Sequence, residues 1–369
     1  MLNHKKLLTI SIPTWNRDYL LYELLEKLIS QVINDRLTEV VEILISNNGS
    51  TDKTHEICKN FAENHSFISY YINEVNIGAR ANVIRSMKLA RSSYLMFLGD
   101  DDRLSSNAIL KIINLLKTNS NLGLILDISR SKLNEIEENT FIDLSYLLKN
   151  YYWYLGNAGL FIIKSDYVKD ALKNKNYESF NSSWPQTQII ILGLNENPDD
   201  SILISKLDLV SEAVHDQVMV YNSYYLWRTC HFDLFSAINS IKNEITNSSF
   251  ENALKYLKSN VQQLFFNILQ CGVFVDNINI KLKTAKHIFK NMWKFSIKEI
   301  CYFSTMVFVL ILPNFISRPF SNIAIYLIKG NSGLKKKSVF VLNERIKKIN
   351  FEKQKTNAIR PFEFDPEKA

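Results

Sequence analysis

A chain of 369 residues and 42.9 kDa has room for two domains, or for one large domain with an extension. With 46% hydrophobic and 22% charged residues it is neither disordered nor fibrous. Its net charge of +7 is unevenly spread: residues 1–200 hold 21 basic and 24 acidic side chains, whereas residues 281–369 hold 18 basic and 6 acidic, a net of +12. That excludes a uniformly basic protein and leaves a local anionic partner, either a membrane surface or a nucleic acid. Cys58, Cys230, Cys271 and Cys301 form no C-x-x-C pair, so neither a disulfide scaffold nor a thiolate zinc site is expected. The apolar run Leu7–Ile12 is too short for a signal peptide and lacks a small-residue cleavage site, so the chain is expected to stay where it is made.

In chain order, Leu7–Ile12 is expected as a buried strand ended by Pro13. Apolar residues at helical spacing follow from Tyr19 to Val32, with Asp18 placed as a cap. Val40–Ile45 predicts a second strand, ended by the turn residues Ser46-Asn47-Asn48-Gly49-Ser50, and Asp52 opens a helix reaching about Phe61. Phe67–Ile72 and Tyr94–Leu98 predict two more strands around a helix over Ala79–Ala90. Ser105 caps a helix to about Leu116, and Leu122–Leu126 returns as a strand. Further on come a loop and strand over Gly156–Ile163, a short helix from Ser165, a helix over Trp184–Leu194 with Pro185 in its first turn, and an edge strand at Ile202–Leu207. From about Phe232 the pattern is helical. Repeated strand–helix units predict an α/β fold, a mainly parallel sheet covered on both faces, with ligands at the carboxyl ends of the strands.

The sharpest feature is Leu98-Gly99-Asp100-Asp101-Asp102, directly after a strand. Adjacent carboxylates repel one another unless a cation neutralises them, and hard oxygen donors of this kind suit Mn²⁺ or Mg²⁺. Three segments are expected at the same edge. They are Pro13-Thr14-Trp15-Asn16-Arg17, the run Asn47-Asn48-Gly49-Ser50-Thr51-Asp52, and Asn76-Ile77-Gly78-Ala79-Arg80. Trp15 can stack on a flat ring and the amides can read its edge. Gly78, with the helix behind it and Arg80, can receive a phosphate.

These four segments, in this order and at these intervals, resemble the family-two inverting glycosyltransferases of GT-A, Rossmann-like fold, and within them the abequosyltransferase-like branch that builds bacterial O-antigen. The similarity is specific over residues 7–127 and weak beyond about 200. It implies a nucleotide-diphosphate sugar donor, a divalent metal, and a saccharide acceptor carried on undecaprenyl diphosphate. Together with the helical pattern and basic charge beyond 225, the resemblance divides the chain into a donor half over 1–130, an acceptor half over 131–225 and a helical, basic, membrane-associating region over 226–369. It makes Pro13, Thr14, Trp15, Arg17, Asn47, Asn48, Ser50, Asn76, Gly78, Arg80, Asp100 and Asp101 nucleotide-sugar-binding residues. Asp102, with Asp100, becomes the metal ligand, and Gly99 stands where many members carry an acid.

There are two departures from the family pattern. Asn47 stands where the family has an Asp that accepts from uracil. An amide can also donate, which fits the bare N3 of cytosine and a CDP-sugar, without excluding UDP or dTDP. Where the family places its general base, this chain reads Ser183-Trp184-Pro185-Gln186. Glutamine cannot take a proton, so the base is sought among Asp166, Asp199, Asp200 and His215, and Trp184 and Gln186 are expected to line the acceptor site.

Near the C-terminus, Tyr302–Leu312 is apolar but short of the roughly 20 residues a spanning helix needs. It reads either as a buried helix or as one lying in a lipid interface. Lys290, Lys294 and Lys298 before it, with Arg318, Lys329 and Lys335–Lys337 after it, favour an anionic membrane surface over nucleic acid. The expected location is therefore cytoplasmic, peripheral on the inner face of the membrane. A nucleotidyltransferase, which would want a Gly-rich basic loop near the start, and a catalytically impaired scaffold are the alternatives.

Overall fold

The computed structural model describes residues 6–119, 121–129, 139–173, 179–180, 184–211, 234–259 and 297–313, with 282, 285–286, 288–289, 292 and 316. The chain divides into two compact units: residues 1–214 with 236–253 and 365–369, and residues 215–235 with 254–364.

The first unit is built on one eight-stranded sheet. Its strands are β1 (Leu8–Thr14), β2 (Val41–Asn47), β3 (Ile68–Ile72), β4 (Tyr94–Phe97), β5 (Leu122–Asp127), β6 (Thr140–Ile142), β7 (Phe161–Lys164) and β8 (Ser201–Ser205), in the order 3-2-1-4-7-5-8-6. Strands β1 to β4 are mutually parallel. Strand β7 runs antiparallel to both β4 and β5, β8 is parallel to β5, and β6 is antiparallel to β8. Six strands therefore point one way. The strand expected at the sheet edge, β8, lies one place inside it, because β6 adds on its outer side through Phe141↔Leu203. The expected boundary at 130 falls within this single sheet.

The described helices of this unit include α1 (Asp18–Asn34), α2 (Thr54–Asn64), α3 (Ala79–Lys88), α4 (Ala108–Thr118), α5 (Leu144–Tyr151), α6 (Asp166–Leu172) and α7 (Pro185–Glu196). Strand alternation decides which face each covers. Leu8, Ile10 and Ile12 of β1 join Leu21, Leu24, Leu25 and Leu28 of α1 and Ile109, Ile112 and Ile113 of α4 in one buried cluster. The intervening Thr9 is buried on the opposite face, where its hydroxyl bonds Glu42 and Ser92 at 2.8 Å each. Helix α7 is buried almost all round, from Pro185 to Leu194. It can pack so closely because Gly193 abuts the ring of Tyr167.

In the second unit most of the described residues are helical, including Ile297–Ile311. No described helix is long and apolar enough to cross a membrane.

Replacing Gly193 by Ala raises intrinsic helix propensity by about 1 kcal/mol. The added Cβ would however overlap the Tyr167 ring, and overpacking of this kind costs about 1–3 kcal/mol. Gly193→Ala is expected to destabilise, as a fall in the urea midpoint without a change in slope. Burial pushes the Cys58 thiol up to about 12. Peptide mapping after thiol labelling at pH 8 is expected to find Cys58 unmodified in the native protein and modified after unfolding.

Candidate functional site

The parallel register brings four loops to one edge. Thr14 at the end of β1 is level with Asn47 at the end of β2, and Asn47 is level with Ile72 at the end of β3. Phe97 pairs with Ser11, which places the acidic turn beyond β4 level with the β1 loop. The Thr14 hydroxyl donates to Asp100 Oδ2 at 2.8 Å, and Arg17 Nε lies 3.8 Å from Asp100 Oδ1. The Trp15 backbone N–H also bonds this carboxylate. Burial and the charge of Asp101 nonetheless push Asp100 up to about 7, against the opposing pull of Arg17, Thr14 and Trp15. Asp102 closes the turn, its Oδ2 accepting the Gly99 N–H at 3.0 Å.

These carboxylates stand at the edge where a cation would relieve their repulsion, and hard oxygen donors of this kind fit Mn²⁺ or Mg²⁺. Among the described residues no three His, Cys, Asp or Glu side chains converge as a closed metal cage.

The amide-rich loops are knitted to one another. Asn16, at φ 52°, donates its N–H to Ser50 Oγ at 2.9 Å, and its Oδ1 accepts from Thr51 N–H at 2.8 Å. Asn48 Nδ2 donates to Asn76 Oδ1 at 2.8 Å, while its Oδ1 accepts from Asn73 and from Ile77 N–H at 2.9 and 3.0 Å. Asn76 Oδ1 also accepts the N–H of Gly78, which begins α3 at φ 89°. Asn47 is wholly buried. A backbone N–H can only donate, so Oδ1 must be the atom facing Ser50 N–H at 2.9 Å. The amide nitrogen then faces the Tyr70 hydroxyl, also at 2.9 Å. The amides expected to read a base edge thus hold the loops together, and Asn76 is the one left exposed. Pro13, Trp15, Arg17 and Arg80 are half-buried along this edge.

Sequence reasoning missed three supports. Arg103, 2% exposed, donates to the Asp102 carbonyl at 2.8 Å and to Glu23 at 3.0 Å, and so ties the acidic turn to α1. Asp127 at the end of β5 accepts from Ser129 and from Leu209 N–H. That fixes a strap whose Leu209 carbonyl accepts from Ser105 N–H and whose Ser211 N–H donates to the Arg103 carbonyl, each at 2.8 Å. Gly159, at φ 74°, donates to the Phe97 carbonyl at 2.7 Å, and a Cβ there would stand 3.6 Å from Asp102 Oδ2. Only the Gly159 backbone conformation left any sequence signal, a Gly-Asn-Ala-Gly run with no visible partner.

The expected acceptor residues sit on the same loop. Trp184 packs against Gly156, and Gln186, buried, donates to the Gly156 carbonyl at 2.9 Å. Three expected bases are misplaced. Tyr94 at the start of β4 pairs with Lys164 at the end of β7, so Asp166 lies at the opposite edge from the acidic turn, ion-paired to Lys169. Leu122 pairs with Ser201, so Asp199 and Asp200 lie at that far edge too, where Asp200 takes Lys164 and the Tyr167 hydroxyl. The antiparallel entry of β7, which the sequence did not reveal, is the reason for Asp166; Asp199 and Asp200 lie there because they precede β8, which runs parallel to β5. His215 lies outside the described residues.

A mainly parallel sheet with an acidic turn at its carboxyl edge is the GT-A arrangement of glycosyltransferases. The family model Glycosyl transferase family 2 matches residues 9–168. Abequosyltransferase RfbV of Salmonella typhimurium is 36% identical over 104 residues, 28% of this chain and 30% of that protein. The GalNAc(5)-diNAcBac-PP-undecaprenol beta-1,3-glucosyltransferase of Campylobacter jejuni is 31% identical over 103 residues, 28% of this chain and 32% of its own length. The chain thus matches about a third of the length of these relatives. Among solved structures, S. aureus TarS 1–349 superposes with a TM-score of 0.53 at 14% identity, covering 83% of this chain and 90% of that one. Mannosyltransferase PcManGT from Pyrobaculum calidifontis, in complex with GDP-Man and Mn²⁺, gives 0.52 at 13% identity, covering 90% and 88%.

Gly159→Ala forces a side chain into a left-handed backbone and against Val210 at 2.8 Å. It is expected to cost about 1–3 kcal/mol, measured by thermal unfolding of the purified chain.

Proposed function

We propose that this protein transfers a sugar, with inversion, from a nucleotide-diphosphate sugar to a saccharide acceptor carried on a lipid diphosphate, in the building of a bacterial O-antigen, lipopolysaccharide or capsule. The observation that carries this is the acidic turn after β4, gripped by Thr14 and facing Arg17, within the segment that the family-two model matches. Pro13, Thr14 and Trp15 form the wall on which the nucleobase stacks. Asn47, Asn48, Ser50 and Asn76 hold that wall's neighbours in place. Arg17, Arg80 and the start of α3 at Gly78 meet the diphosphate, because cations and unpaired helix N–H groups attract its charge. Asp100 and Asp101 border the sugar side. A Mn²⁺ or Mg²⁺ ion held by Asp102 with Asp100 would supply positive charge against the departing diphosphate.

The acceptor enters over Gly156–Gly159, where Trp184 offers an aromatic face. Its hydroxyl must lose a proton as it attacks. Asp166, Asp199 and Asp200 cannot serve from the far edge of the sheet, and Gln186 has no basic form; His215, the fourth candidate, lies outside the described residues. The undecaprenol-linked substrate named for the Campylobacter relative supports a lipid-linked acceptor and a place on the inner face of the cytoplasmic membrane. Binding of donor without transfer would instead favour an impaired scaffold.

A thermal-shift panel of CDP, UDP, GDP and dTDP, each with and without Mn²⁺, tests the donor site. Stabilisation is expected with Mn²⁺ present, and the nucleotide that stabilises most identifies the donor base, since Asn47, buried and bonded to Ser50 and Tyr70, is not placed to choose CDP. Asp102→Ala, folded by circular dichroism, should lose at least tenfold in affinity for the Mn²⁺–nucleotide pair. No shift with any nucleotide, or a shift indifferent to both metal and Asp102, would refute the assignment.

A further inference from the structure

The apolar helix Ile297–Ile311 presents two faces. Phe303, Met306, Val309 and Leu310 are buried. On its other side Ile297, Cys301, Ser304, Phe308 and Ile311 are exposed. Their spacing of four, three, four and three residues puts them on one stripe along the helix. Ile297 is 82% exposed, Phe308 50% and Ile311 48%. A stripe of three large apolar side chains is unusual at a free water surface, and Phe289 and Ile316 on either side of it in sequence are exposed as well. At 15 residues the helix is about 22 Å long, too short to cross a bilayer core of about 30 Å.

Charge decides what covers the stripe. Residues 281–343 contain 11 Lys or Arg and one acid, Glu299. A second copy of this chain would bring the same positive charge to the interface and be repelled. An anionic lipid surface would neutralise it while accepting the apolar stripe among its acyl chains. We infer that Ile297–Ile311 lies flat in an anionic membrane interface, with Ile297, Phe308 and Ile311 inserted and the lysines and arginines that flank it in sequence drawn to the headgroups. This deepens the membrane placement proposed above but uses none of its donor chemistry, so it stands or falls independently of nucleotide binding.

The full-length protein, without nucleotide, is mixed with vesicles of pure phosphatidylcholine or of phosphatidylcholine with 30% phosphatidylglycerol, about 30% being a common choice for an anionic surface. Partitioning is read by co-sedimentation. Anionic vesicles are expected to bind at least tenfold more protein, and about 0.5 M salt to release most of it. The double variant Phe308→Ser, Ile311→Ser should lose at least tenfold in partitioning with its thermal midpoint retained. Ile297→Ser, at the most exposed position, gives a milder loss in the same direction if the double variant does not fold. Equal binding to both vesicle types, or unchanged partitioning in the variants, overturns the inference. So does a reversible dimer, seen by sedimentation velocity, that the Phe308 change dissociates while vesicle binding persists.

Discussion

Three successive carboxylates at the end of one buried strand are the constraint around which the first unit is arranged. Like charges so close oppose one another's ionisation, and burial first, with the charge of Asp101 second, pushes the Asp100 carboxyl up from its ordinary range. The fold answers with donors rather than distance. The Thr14 hydroxyl, the Trp15 N–H and the Arg17 guanidinium all face Asp100, and the Gly99 N–H closes on Asp102. Arg103 brings a positive charge beneath the turn and ties it to α1.

The rigidity of the neighbouring loops follows from polar bonds that are buried or half-buried. The Asn48, Asn73 and Asn82 side chains are bonded in series and end on Ser46, while Asn47 bonds Tyr70 and the Ser50 N–H. Each such group would cost about 1–3 kcal/mol if left unsatisfied. The loop conformations are therefore held by the penalty for breaking these bonds more than by the gain from any one of them. Rigid loops around an electrostatically frustrated turn make a preorganised receptor for charge, which is what transfer from a diphosphate leaving group requires.

The strand–helix alternation of the first 127 residues was legible because β1 to β5 are short apolar runs punctuated by Pro, Gly, Asn and Asp, and the helices between them carry regular apolar spacing. The four loops could be placed at one edge for the same reason: parallel strands must all end on the same side. Legibility failed at β7. A strand of four residues carries no sign of direction, and its reversal moved Asp166 to the far edge, while Asp199 and Asp200 lie there because they precede the parallel strand β8. It failed again at β6, three residues long, which turned β8 from an edge strand into an inner one. Arg103, Asp127 and Gly159 escaped notice because their partners lie 80, 82 and about 60 residues away.

By itself the sequence determined the α/β class, the carboxyl-edge loops, the acidic turn and the concentration of positive charge beyond residue 280, since each follows from local periodicity, turn chemistry or counting. Tertiary structure alone decided which polar groups are spent and which remain available. Asn48 and Gln186 look like ligand contacts in one dimension and prove to be buried tethers in three. Gly159 looks like a plain turn residue and proves to stand beside Asp102, because its strand enters the sheet next to β4. Hydrogen-bond partnership and strand direction are long-range properties, and a chain read residue by residue carries neither.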